Sequence, residues 1–276
     1  VPADNELKIS QTELSDIAAL ALQIGKEAGD LAANRPANLE LKTKSSKTDL
    51  VTQMDTATER LIVERLRENR PHDGVIGEEG TATAPTGEHQ ITWVIDPIDG
   101  TTNYIYELPA WSVSIGVEVA GIPAVGVVVA PALGETFFGV RGEGAKLIAK
   151  GKSLSLKANT IDFLADALVV TGFSYLAADR GNQADAVFEL LPMVRDIRRL
   201  GSAALDLSYV AAGRVDAFYE QGLNHWDYAA GALIAREAGA RVESLRGGPL
   251  FKGTTIAAAE PLFSNLSTIL AKTPIP

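Results

Sequence analysis

A chain of 276 residues is long enough to bury a large core, as one big α/β fold or two merged halves. Its net charge of −10 argues against direct nucleic-acid binding, which depends on Lys and Arg meeting phosphates, so any phosphate site must draw positive potential from cations or helix N-termini. The absence of cysteine excludes disulfides, thiolate metal sites and Cys nucleophiles, and fits a cytoplasmic protein.

No apolar run approaches the roughly 18 residues of a membrane helix. The opening Val1-Pro-Ala-Asp-Asn-Glu6 lacks the order of a signal peptide, so no membrane partner is expected. From Leu14 to Ala33, apolar residues (Leu14, Ile17, Ala21, Ile24, Ala28, Leu31) recur at helical spacing, with Thr12 as the expected cap. Lys42, Lys44 and Lys47 lie among polar neighbours and read as an exposed loop. A second helix is predicted over Asp55–Asn69, with Asp55 as its N-terminal cap or as a functional acid. After a turn at Arg70–Gly74, Val75-Ile76 reads as a short strand ending in Gly77-Glu78-Glu79-Gly80. That ending is either an exposed acidic turn or a pair of carboxylates brought to a cleft.

Ile91–Ile95 reads as a buried strand that closes on Asp96-Pro97-Ile98-Asp99-Gly100-Thr101-Thr102-Asn103. Pro97 fixes its own φ and biases Asp96 away from helix, so the strand is predicted to break into a tight turn there. Such a turn brings Asp96 and Asp99 to one point. Gly100 lets the backbone approach a ligand, and the N–H groups of Gly100, Thr101 and Thr102 would cradle an anion if a helix begins here. Acids beside an anion cradle make chemical sense with cations between them, which points to Mg2+ holding a phosphate. The alternative is a strand-end turn whose aspartates cap backbone N–H groups.

Alternation and turn glycines from Trp111 to Ile148 predict an antiparallel meander, with Leu154–Leu156 as a further edge. The second half mixes strands (from Ala167, and Ala217–Glu220) with helices at Asn182–Arg195, Ala203–Ala212 and Tyr228–Ala238, the last capped by Asp227. With no repeat and no flexible linker, residues 1–157 (an α+β half) and 158–276 (an α/β half) are expected to form one compact body.

Gly77-Glu78-Glu79, then Asp96-Pro-Ile-Asp-Gly-Thr-Thr-Asn103, then Trp226-Asp-Tyr-Ala-Ala-Gly231 in that order resemble the inositol monophosphatase family of Mg2+-dependent, lithium-sensitive sugar phosphatases. The likeness spans the chain, including Lys44-Ser-Ser-x-x-Asp49-Leu-Val-Thr-x-x-Asp55 and Gly201-Ser-Ala203. It implies a layered αβαβα sandwich, a homodimer and two to three Mg2+ per site. Glu78, Asp96 and the Ile98 carbonyl would hold the first ion. Asp96, Asp99 and Asp227 would hold the second, and a third would lie loosely near Glu78. The resemblance casts Asp55 and Thr101 as the pair that orients and deprotonates a water, and Glu79 as a partner behind the ligands. Gly100, Thr101 and Thr102 would meet the phosphate, and Asp99, Ala203, Glu220 and Asp227 the substrate hydroxyls. Glu220 also reads as an exposed strand-end acid. Two departures stand out: Ala240 where a second Gly is usual, and Tyr104 where Phe is common. The implied reaction is hydrolysis of inositol 1-phosphate. Histidinol phosphate hydrolysis and a scaffold role with the transcription machinery are the alternatives.

Overall fold

The computed structural model describes residues 7–43 and 50–276, so Lys44, Lys47 and Asp49 of the basic loop lie outside the described residues. Helix α1 (Gln11–Ala33) starts a turn earlier than its apolar pattern, because Ser10 rather than Thr12 is the cap and accepts the Glu13 N–H at 3.1 Å. A short antiparallel ribbon, β1 (Leu41–Thr43) and β2 (Leu50–Thr52), delivers the chain to α2 (Gln53–Asn69). Next come β3 (Gly74–Gly77), β4 (Ala82–Thr83), β5 (Ile91–Asp99) and the short α3 (Thr101–Ile105). The meander follows as β6 (Ser112–Val119), β7 (Ile122–Ala130), β8 (Glu135–Val140), β9 (Gly144–Ala149) and β10 (Lys152–Ser155).

The second half runs β11 (Leu168–Thr171), α4 (Ala177–Leu190), β12 (Asp196–Arg198), α5 (Ala203–Ala211), β13 (Ala217–Gln221) and α6 (His225–Glu237). It closes with β14 (Arg241–Ser244), β15 (Thr254–Ala258) and α7 (Leu262–Leu270). The helix expected at Asn182–Arg195 is displaced toward the N-terminus. Pro192 cannot continue an α-helix, so the chain tightens into a 3-10 turn at Leu191–Met193 and then enters β12.

Strands β10-β9-β8-β7-β6-β5-β3-β4 form an eight-stranded sheet, antiparallel except for β3 beside β5. A five-stranded sheet has the order β12-β11-β13-β15-β14. Helices α1 and α2 cover one face of the large sheet, and α5 and α6 fill the space between the two sheets. Helices α4 and α7 pack on the outer face of the small sheet, which completes the αβαβα sandwich. Among the described residues no helix is long and apolar enough to cross a membrane.

Two details of this packing place the site. Strand β5 does not break at Asp96 as expected. It runs on to Asp99 through a bulge, with Asp96 opposite Ser114 and Asp99 opposite Ser112. Pro97 has no N–H to give a ladder, and a bulge is where a strand tolerates it. Helix α6 lies directly on the large sheet over glycines: a Cβ at Gly126 would fall 2.6 Å from the Ala230 carbonyl oxygen, and one at Gly116 2.7 Å from the Ala229 Cβ. That close approach fixes the height at which the first turn of α6 meets the end of β5.

Candidate active site

The end of β5, the turn after β3, the start of α5, the end of β13 and the start of α6 converge on a cleft of about 550 Å3. Glu78, Asp96, Ile98, Asp99, Gly100, Thr101, Ala203, Glu220 and Asp227 all line it. Asp55 stands behind Thr101, fully buried, while Thr102 and Glu79 do not reach the cleft wall.

The two aspartates expected to cap helices do so from inside the first turn. Thr52 is the cap of α2, and Asp55 Oδ2 reaches back to the Thr52 N–H at 2.8 Å and its hydroxyl at 2.5 Å. Asn224, not Asp227, precedes α6, and its N–H donates to Asp227 Oδ2 at 2.6 Å. Both reach-back bonds use one carboxyl oxygen and leave the other for the site. Asp55 Oδ1 spends it on the Thr101 hydroxyl, 3.1 Å away. That hydroxyl is also 3.1 Å from the Ile98 carbonyl oxygen, so its single proton is shared between the two acceptors.

The same one-oxygen anchoring recurs at the floor of the cleft. Asp96 Oδ1 accepts the Ile98 N–H at 3.0 Å. Asp99 Oδ2 accepts from the Ser202 hydroxyl and the Ala204 N–H, both at 2.7 Å. Ser202, the cap of α5, is in turn 3.1 Å from the Ser112 hydroxyl on β6. Gly100 takes a left-handed conformation (φ 93°) that turns the chain from β5 into α3. Among the described residues the Gly100, Thr101 and Thr102 N–H groups donate to no protein acceptor.

Electrostatically the cleft is a store of unneutralised acid. Burial, then Glu78, Asp99 and Asp227, hold the Asp96 carboxyl well above the usual range, and a carboxyl–carboxyl hydrogen bond with Glu78 adds to the rise. Burial and Asp99 do the same to Asp227. Burial lifts Asp99 to about 6, against the pull of Ser202 and the Ala204 N–H, and lifts Glu220 to about 7, against Arg199. Burial also raises Asp55. Such clustering of perturbed acids marks functional sites.

These donors suit Mg2+: hard oxygen ligands, a backbone carbonyl at Ile98, and carboxyl oxygens on Asp96 and Asp227 beyond those that accept the Ile98 and Asn224 N–H groups. Among the described residues no group of three acidic or histidine side chains has the spacing of a preformed ion site, and Mg2+ characteristically keeps several waters in its shell.

A family model for the inositol monophosphatases matches residues 10–273. The chain belongs to the inositol monophosphatase family. It is 49% identical over 205 residues to an inositol-1-monophosphatase of Mycobacterium bovis, across 73% of this chain and 71% of that protein. It is 40% identical over 247 residues to the protein named Nus factor SuhB of Escherichia coli, across 88% and 90%. Its fold superposes on the structure of Mycobacterium tuberculosis SuhB with a TM-score of 0.80, at 39% identity and 98% coverage of both chains. Neither departure from the family pattern disturbs the site. The Tyr104 hydroxyl donates to the Ala32 carbonyl at 2.7 Å and its ring meets Trp111 edge-on, while Ala240 is a core residue.

Four residues at or behind the cleft were given no role by the sequence, although Ser202 lies within the Gly201-Ser-Ala203 segment quoted above. Ser202 anchors Asp99. Arg199 is the one basic side chain on the cleft wall among the described residues, and its guanidinium lies where a Cβ on Gly201 would stand, 2.3 Å from Nη1. Asp206 on α5 is 1% exposed, and among the described residues neither of its carboxyl oxygens has a hydrogen-bond partner. Burial, then Glu220 and Asp99, raise it well above the usual range. The fourth is Glu59 on α2. His225, which sits near Asp227 in sequence, points instead to Glu118, with Nε2 2.8 Å from its carboxylate.

Proposed function

We propose that the protein is a Mg2+-dependent phosphate monoester hydrolase that converts inositol 1-phosphate, or a similar polyol phosphate, to the free alcohol and phosphate. The observation that carries this reading is the convergence of Glu78, Asp96, Asp99 and Asp227 on one cleft, beside free backbone N–H groups at Gly100–Thr102. Glu78, Asp96 and the Ile98 carbonyl would hold one ion and Asp96, Asp99 and Asp227 a second, and a third would lie loosely near Glu78. Bound Mg2+ supplies the Lewis acidity that activates water and neutralises charge on the phosphate.

The rest falls to the chain itself. The Gly100–Thr102 N–H groups would hold phosphate oxygens. The Thr101 hydroxyl donates to Asp55 Oδ1, which leaves its own lone pairs to accept from the attacking water and orient it. Asp55, raised by burial, is a better proton acceptor than an exposed carboxylate. Glu79, whose N–H donates to Glu59 Oε2 at 2.8 Å, would act behind Glu78 rather than touch the ion. Glu220, Ala203 and Asp99 border the alcohol side, where carboxyl oxygens can pair with hydroxyls.

The test is phosphate release from inositol 1-phosphate, histidinol phosphate, fructose 1,6-bisphosphate and adenosine 3′,5′-bisphosphate with Mg2+, with and without Li+. Lithium-inhibited turnover of inositol phosphate is expected. Preference for histidinol phosphate would keep the chemistry and change the substrate. The relative named Nus factor SuhB favours a second role, as a scaffold for the transcription machinery. It predicts that an Asp96→Asn variant captures the same partners as the wild type while losing turnover. We expect a cytoplasmic homodimer, which sedimentation at micromolar concentration would measure.

A further inference from the structure

Helix α2 carries two buried acids one turn apart, Asp55 and Glu59. Only the first belongs to a recognised motif. Glu59 is 4% exposed and makes no ion pair among the described residues, so its charge is met in another way. Its Oε2 accepts the Glu79 N–H at 2.8 Å, and its Oε1 accepts the Thr81 N–H at 3.1 Å and the Thr81 hydroxyl at 2.6 Å. Three donors on one turn therefore close on one carboxylate, and charge-assisted bonds of this kind are stronger than neutral ones.

The turn they grip is the one that presents Glu78. Its backbone is already tied on the strand side, where Gly77 donates to the Thr81 carbonyl at 2.7 Å and Glu78 to the Ile95 carbonyl at 3.2 Å. Glu78 thus stands between two pinned neighbours. Gly77 makes the grip possible. Its φ lies outside the left-handed region, so the backbone does not require glycine, but a Cβ there would fall 2.5 Å from Glu59 Oε2.

We propose that Glu59 is a positioning residue: it latches the Gly77–Thr81 turn and so sets where the Glu78 carboxylate meets Asp96. Through α2 it also joins that cation-facing end of the cleft rigidly to the Asp55–Thr101 pair. This rests on the reading of the cleft as a Mg2+ site. Partners that orient a ligand rather than touch the ion typically matter by 10–100-fold in metal affinity.

The experiment compares wild type with Glu59→Gln, Glu59→Asp and Thr81→Val in two measurements without turnover. Hydrogen exchange of the 77–83 segment reads the latch, and calorimetric titration of metal-free protein with Mg2+ reads its consequence. Glu59→Gln puts an amide NH2 against N–H donors, and Glu59→Asp keeps the charge but shortens the reach. Both should speed exchange at Glu79 and Thr81 and weaken Mg2+ binding by about 10-fold or more. Thr81→Val keeps the charge and two of the three donors, and should weaken binding by about 2–5-fold with little effect on folding. Steady-state turnover should recover toward the wild-type kcat as Mg2+ is raised, since the loss lies in binding.

Unchanged exchange in Glu59→Gln overturns the latch. Faster exchange with wild-type Mg2+ affinity makes Glu59 structural only. If Glu59→Gln alone weakens binding while Glu59→Asp and Thr81→Val do not, the effect is lost charge and the positioning claim fails. A wild type that takes up no Mg2+ overturns the functional reading together with this one, whereas the other outcomes overturn the latch alone.

Discussion

Asp96 illustrates how a residue can oppose stability where the proposed chemistry would need it. Its neighbours in the cleft are acids, and burial removes the water that would screen them. Asp96→Asn keeps an oxygen for the Ile98 N–H and deletes the repulsion. Without Mg2+ the variant should melt about 2–4 °C higher than wild type, while phosphate release falls by more than about 100-fold. A lower melting point together with intact turnover would sink the assignment of Asp96 to the cation site.

Glu220 makes a prediction in pH. Its folded-state pKa of about 7 lies above the ordinary 4.5, so between those values the folded state binds the extra proton. Its contribution to stability is therefore fully present below about pH 4.5, is lost as pH rises, and levels off above about 7. Urea denaturation of metal-free protein at pH 5 and pH 8 should give a smaller fall in stability for Glu220→Gln than for wild type. An equal fall would place the titration elsewhere.

The acids in motifs were legible because a carboxylate beside proline or glycine at a strand end is unusual. Glu59, Arg199 and Asp206 were not, since each sits in a stretch where a charged residue reads as an ordinary polar position. Glu59 meets Gly77 and Asp206 feels Glu220 from other elements, while Arg199 folds back over Gly201 of its own segment, and no local pattern records those placements.

Among the elements, the strands of the meander and the long helices followed from their periodicity. The errors were at boundaries, and those at α2 and α6 share a cause. An Asp in the first turn that reaches back to the cap and an Asp at the cap itself look alike in sequence, so Asp55 and Asp227 were placed two or more residues early in their helices. The bulge at Pro97 was hidden for a related reason: proline signals an interrupted ladder but not whether the strand resumes.

The glycines of the large sheet carry a sharper consequence. A methyl at Gly126 would meet the backbone of α6, which cannot rotate away as a side chain can. Gly126→Ala should cost about 1–3 kcal/mol in urea denaturation, and by lifting the helix that carries Asp227 it should also weaken Mg2+ binding. The contrast is Gly181, inside α4 with nothing within 4 Å of its would-be Cβ. Gly181→Ala should stabilise by about 0.4–1 kcal/mol with activity unchanged. Equal effects at the two sites would mean that the sheet–helix contact is not rigid.

At the scale of the molecule, the halves at 1–157 and 158–276 differ in character yet share a core. Val128, Phe137 and Leu147 of the large sheet pack with Ala204 and Leu205 of α5 and with Ala230 and Ile234 of α6. Among the described residues the large sheet therefore has one face covered by α1 and α2 of its own half and the other by α5 and α6 of the second. The proposed site residues are divided in the same way, with Asp55, Glu78, Asp96, Asp99 and Thr101 before residue 157 and Glu220 and Asp227 after it. Neither the core nor the site is complete on one side of that boundary. A fragment of residues 1–157 should accordingly expose a contiguous apolar face, aggregate or bind a hydrophobic dye, and bind Mg2+ more weakly than the whole chain. The intact protein should unfold in one calorimetric transition whose van't Hoff and calorimetric enthalpies agree. Two separable transitions, or a soluble 1–157 fragment with native near-ultraviolet dichroism, would mean that the layer of α5 and α6 is an interface between domains rather than a common core.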